Sequence, residues 1–387
     1  MVLPSFALAV GVLKLNSIPL DSDAGWLISS WVACSGSLAV VTALGGLALF
    51  IWLCRWVPPR YGYITTMAVF LGAAPLPYST LLMSHGLSVS LLAISLWAGD
   101  SKVVGARGDR SDLISAKHLL AGCCCGLALA CEFSAGIAVG GILLYFALQT
   151  YKCALSLVFG MIPALALIPI YNWVCLGSPF AFAYQHQAVF IEMHQGFFGM
   201  HWPPNADNAF RLIFGLRQGL FIWSPVLLLV FVGYGQVARL QMKLFLVTYL
   251  VPIFQVVAIS AYFLPGAGDM LGPRLLAPIL PLMALPAALG IMRFPRIGST
   301  LAGVSILLTS WATVIDIRLS SAGANPLLDF YLPTFLQQKF SDNLGSAFGL
   351  TGYWSLWPFL LAVGAGIWFT WRNLPRVQKA HISSRLT

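Results

Sequence analysis

Long apolar runs, separated by short polar or proline-bearing breaks, dominate the chain. A transmembrane helix needs about 20 consecutive apolar residues, and the first such run extends from Trp26 to Cys54, closed by Arg55 and Arg60. The next, Tyr63 to Leu96, is too long for one helix; the segment from Pro75 to Thr80, followed by Ser84, His85 and Gly86, divides it in two. Leu119 to Leu148 is again too long. Glu132, between Cys131 and Phe133, marks its break, because a carboxylate in an apolar run is costly unless it reaches water or a cation. Further runs cover Ala154–Cys175, Leu220–Gly235, Leu244–Leu264 and Leu275–Ile291, then a run ending near Asp316 and a last one ending at Arg372. The pattern predicts an all-α polytopic membrane protein of about 11 spans. Met1 to Leu13 is apolar but too short to span, and predicts a helix in the membrane interface.

Two hydrophilic loops, 177–217 and 317–351, interrupt the single multispanning domain 1–372, and a tail of 373–387 follows it. Within the second loop, the stretch from Leu327 to Leu336 mixes aromatic and aliphatic residues and predicts an interfacial helix packed near the first loop.

Charge then orients the pattern. Alternating the spans from a cytoplasmic Arg55 and Arg60 leaves only Lys14, Arg211, Arg217, Arg274, Arg318 and Lys339 of the 21 Lys and Arg outside. That asymmetry is the positive-inside bias. Loop 99–118 and the C-terminal tail are then cytoplasmic, and both long loops are extracytoplasmic. Asp100, Asp109 and Asp112 fall inside and the other acidic residues outside.

Composition agrees. Hydrophobic residues make up 59% and charged residues 9% of the chain, and mean hydropathy is +0.85, against about 25% charged in soluble domains. The basic residues behind the net charge of +9 fall singly or in small groups between apolar runs, a membrane-topology pattern and not a phosphate-binding stripe for nucleic acid. The eight cysteines lie in or beside apolar runs without metal-ligand spacing, so they read as small packing residues.

The outer side gathers the residues with chemistry. Arg217 and Arg274 each stand where a loop re-enters a span, at lipid-phosphate depth, and a guanidinium can bind phosphate through two parallel hydrogen bonds. The plainer alternative is that both snorkel to ordinary headgroups. Asp269 precedes Arg274 in a Gly/Pro-bounded loop, where the two can share a cavity or simply pair. His85 is a candidate phosphate contact or proton carrier, and Tyr184 and His186 are further substrate-contact candidates. Glu132 and Asp269 are the candidate catalytic carboxylates. His186, His194 and His201 lack tight metal spacing, so no metal site is read, although a divalent metal is compatible with the chemistry.

A resemblance rests on Tyr171-Asn172, Gly177 to Pro179, Tyr184-Gln185, Phe198-Gly199, Phe214 to Phe221 and Trp223 to Pro225. It continues through Gly272 to Arg274 with Pro278 and Pro281, and takes in Pro77 to Ser79 with His85 and the segment Ala121-Gly122 to Glu132. In these features the chain resembles the GT-C superfamily of integral-membrane glycosyltransferases, of the protein O-mannosyltransferase, aminoarabinose transferase and lipopolysaccharide-core galacturonosyltransferase types. The resemblance implies transfer of a sugar from a polyprenyl-phosphate donor to a lipid, glycan or protein acceptor. It also implies that this occurs on the extracytoplasmic face of a bacterial inner membrane. It further implies a carboxylate in a first external loop that assists the acceptor. Here the chain departs: it begins within that loop, and Asp21 and Asp23 lie close to the next span. A truncated or inactive form is therefore one expectation. A non-catalytic membrane scaffold and a transporter or lipid flippase are the alternatives.

Overall fold

The computed structural model describes residues 3–100, 115–181, 186, 190–195, 199–266, 268, 270–319 and 325–373. Among these the chain is all-helical, with two isolated bridges, Met200 to Tyr262 and Met270 to Arg318, and no strands. Six helices are long and apolar enough to cross a membrane: α2 (Ile28–Leu53), α7 (Tyr151–Leu176), α10 (Met242–Ser260), α11 (Arg274–Arg293), α12 (Pro295–Ile315) and α14 (Gly352–Asn373). Between them lie α1 (Leu3–Leu15), α3 (Pro59–Leu71), α4 (Ser84–Gly99), α5 (Ala116–Cys131), α6 (Phe133–Gln149), α8 (Ala206–Phe214), α9 (Pro225–Leu240) and α13 (Leu327–Leu336).

The expected eleven runs thus divide into six full-length helices and five shorter ones, and the breaks have local causes. Pro75 opens a single turn, Pro75–Ser79, between α3 and α4. Glu132 is extended, with φ −154° and ψ 110°, so α5 stops at Cys131 and a new helix starts at Phe133. The run read as Leu220–Gly235 is two pieces: a turn at Leu220–Trp223, then α9, which continues to Leu240. Pro225 lacks the donor needed for one continuous helix. The groups around the break find partners elsewhere: Ser224 Oγ donates to Gly72 O at 2.7 Å, and Val226 N to Ser305 Oγ at 3.1 Å.

Lipid is as apolar as leucine, so helices in a bilayer associate through close packing and hydrogen bonds. Two crossings here are glycine contacts. At α5 against α7, a Cβ on Gly122 would lie 1.9 Å from Leu157 O, and one on Gly160 would lie 2.1 Å from Leu119 O. At α9 against α11 the same reciprocity links Gly233 to Pro286 O (1.8 Å) and Gly290 to Leu229 O (2.2 Å).

The helices carry two polar layers. At one end, Trp52 Nε1 donates to Asp100 Oδ2 at 2.9 Å, and Arg55 donates to the carbonyls of Asp100 and Trp97. Asp100 is 1% exposed. Nearby, Lys243 donates to Leu148 O, and Arg60 stacks on Trp371. The other end carries His85, Glu132 and Arg274. Along α4 the layers stand about 22 Å apart, from 15 steps of about 1.5 Å. Replacing Asp100 with Leu should therefore leave the buried Trp52 indole N–H without its acceptor, while the Arg55 bonds to main-chain carbonyls persist, and lower thermal stability by about 1–3 kcal/mol; unchanged melting of purified protein would count against the Trp52–Asp100 bond.

The predicted helix in 317–351 is α13. Its Tyr331 is fully buried, 5.7 Å from the Trp223 ring, and donates to Asp316 O at 3.0 Å. The contact is therefore with Trp223, just past the end of the first long loop.

Candidate functional site

Glu132 and His85 are two of the polar residues buried with the core, at 8% and 7% exposure. The helix break that frees Glu132 from α5 turns its carboxylate toward the first turn of α4. His85 Nδ1 lies 3.0 Å from Glu132 Oε1. Ser88, one turn along α4 from His85, donates to Oε2 at 2.9 Å, and Ser134 donates to Oε1. Burial pushes this carboxyl up, but the adjacent His85 and the hydrogen bonds from Ser134 and Ser88 outweigh it and hold the group below its ordinary value.

The sign of the resulting pH dependence follows. A carboxyl held low in the fold contributes stability that is complete above its unfolded value, about 4.3, and is lost as pH falls through the folded one. Thermal scans of the detergent-purified protein should show wild type losing more stability than Glu132→Gln between about pH 5 and pH 3. Parallel curves would contradict the pairing.

Tyr78 joins the pair to the arginine. Its ring meets His85 edge-on at 5.0 Å between centroids, and its hydroxyl donates to Leu271 O at 2.6 Å. Burial pushes the phenol up, Arg274 pulls it down and Glu132 pushes it up again, so both charges act on this one side chain. Arg274 is half-buried, with Nη1 3.8 Å from the Met83 sulfur. The structure thus brings together Tyr78, His85, Glu132 and Arg274, which the sequence had placed only on the same side.

Arg217 has other surroundings. Its Nη2 donates to Leu319 O at 2.6 Å, and its carbonyl accepts from Trp223 Nε1 at 3.1 Å. The neighbouring Gln218 amide donates to the carbonyls of Gly266, Gly268 and Met270. This pair of residues holds the backbone of the loop before Arg274 beside the 317–319 segment, and Leu271 N completes the contact on Ile317 O at 2.9 Å. Arg217 therefore shapes the support of Arg274.

His186 and His194 are exposed, as is His201, whose backbone N–H donates to Ala261 O. Tyr184 and Asp269, also expected in the site, lie outside the described residues. The recess between Pro77, Trp223 and Leu271 to Pro273 has a volume of about 20 Å³, room for one water, so it is a packing gap and not a sugar pocket. Sequence reasoning missed Ser88, Ser134 and Gln255. The first two stand near His85 and Glu132 in the chain, but nothing in their spacing marks them as donors to one carboxylate.

No family model, curated protein or solved structure matches the chain.

Proposed function

We propose that this chain is a membrane glycosyltransferase that takes a sugar from a polyprenyl-phosphate donor to a lipid, glycan or protein acceptor on the extracytoplasmic side, within an eleven-span topology. The observation that carries the reading is the convergence of Arg274 and the buried Glu132–His85 pair on Tyr78, at the helix ends opposite the Arg55–Asp100 layer. A fixed cation beside a proton-accepting pair is what the reaction requires. The acceptor O–H attacks the anomeric carbon, the bond from that carbon to the phosphate oxygen breaks, and the lipid phosphate leaves with the electron pair. Arg274 stabilises the charge growing on that oxygen. The acceptor's proton passes to His85, which Glu132 holds in place from 3.0 Å.

Two experiments bear on this. In right-side-out vesicles, a His194→Cys chain with Cys175 replaced by Ser should react with an impermeant thiol reagent; labelling only after the inner face is opened would overturn the orientation. In membranes supplied with polyprenyl-phosphate sugars, Arg274→Lys keeps the charge and loses the planar fork, and transfer should fall about tenfold or more. Full transfer by Arg274→Ala would remove the arginine from the mechanism.

A further inference from the structure

Gln255 stands in the largely apolar helix α10 and is 0% exposed. A primary amide in that setting costs stability unless its groups are hydrogen-bonded, by about 1–3 kcal/mol for each one left alone. Its Oε1 has no hydrogen-bond partner among the described residues. Its Nε2 has two: it donates to Ser134 O and to Leu275 O, both at 2.9 Å. These carbonyls belong to the two segments that build the candidate site. Ser134 lies two residues beyond Glu132 and donates its own hydroxyl to that carboxylate. Leu275 directly follows Arg274 at the start of α11.

The geometry points to Gln255 as a positioning residue, a clamp that fixes the Glu132 break and the Arg274 turn relative to one another from a third helix. Neither segment can supply this itself. The break after Glu132 is a single turn, Phe133–Ala135, and the start of α11 is a 3-10 stretch, Arg274–Ile279, so both leave main-chain carbonyls without helical partners. One NH2 group satisfies a carbonyl from each. The carboxylate then keeps its Ser134 donor in register with His85, and the guanidinium keeps its place beside Tyr78.

The clamp is a structural statement, and only its effect on substrate rests on the transferase reading, so the test separates the two. The shape-matched variant Gln255→Met removes both donors. In lipid nanodiscs, the protonated-carboxyl infrared band of Glu132, identified by its loss in Glu132→Gln, is followed against pH, with His85, Tyr78 and Arg274 as the groups that face it. Gln255→Met should raise the pH at which the band appears by about one unit, a tenfold rise in protonated fraction at fixed pH. It should also weaken binding of decaprenyl phosphate by about tenfold. An unmoved band in a folded Gln255→Met protein overturns the clamp. A moved band, in a protein whose wild type does not bind decaprenyl phosphate, supports the clamp and refutes the transferase reading. If the Met variant does not fold, Gln255→Asn keeps the donors one methylene short and reads the same band, where a shift supports the clamp and no shift overturns it.

Discussion

Gly122→Val should leave almost no folded protein in the membrane. The new Cβ would lie 1.9 Å from a backbone oxygen, Leu157 O, and a carbonyl held in a helix cannot swing aside as a side chain can. Helices α5 and α7 would have to part along their whole contact, and the reciprocal Gly160 contact on Leu119 O would open with it. Ordinary overpacking costs about 1–3 kcal/mol, and this substitution should exceed it. Helix propensity pulls the other way, because Ala is favoured over Gly by about 1 kcal/mol. The sign at each glycine is therefore decided by what lies in front of it. Gly140, in α6, has nothing within 4 Å, so Gly140→Ala should be neutral or stabilising while Gly122→Ala is destabilising. Monodispersity and melting of detergent-extracted protein measure both. A stable Gly122→Val protein would mean that the crossing is not as close as described.

His85→Ala is the second large effect. It leaves the Glu132 carboxylate buried with only the Ser88 and Ser134 hydroxyls as donors, and an orphaned buried charge costs about 3–5 kcal/mol. Glu132→Gln should cost less, about 1–2 kcal/mol, because the amide leaves no buried carboxylate without its partner and can still accept from Ser88 or Ser134. The double variant His85→Ala with Glu132→Gln should then lose less than the two single losses combined, with a coupling of about 1 kcal/mol or more. Additive losses would indicate that the two side chains share a cavity without interacting.

The helix breaks were legible because they have local causes. Pro75, the His85–Gly86 step and the charged Glu132 each interrupt an apolar run, and the structure ends or starts a helix at or near each one. Arg55 stands with Asp100 at one end of α4 and Glu132 with His85 at the other. What could not be read was rotation. A helix surrounded by lipid and by other helices is apolar all round, so no periodicity reports which face meets which neighbour. Gly122 and Gly160 look like any other helical glycines until the crossing is known. Gln255 carries no mark in the sequence, because its role depends on carbonyls 121 and 20 residues away. Arg217 and Arg274 occupy similar positions at loop ends, yet one binds the Leu319 carbonyl and the other lies against Met83 and acts on Tyr78. Loop length does not determine that choice.

The central claim is that Arg274, beside the Glu132–His85 pair, receives a lipid phosphate. The direct measurement is decaprenyl-phosphate binding to the full chain in nanodiscs, comparing wild type, Arg274→Ala and Arg318→Ala. Arg318 is the control because its guanidinium is exposed and already engaged by Asp316 at 2.9 Å. A charge-assisted hydrogen bond contributes about 1.5–3 kcal/mol, so Arg274→Ala should weaken binding by roughly ten- to a hundredfold while Arg318→Ala leaves it unchanged. Equal binding by wild type and a folded Arg274→Ala protein would contradict the account.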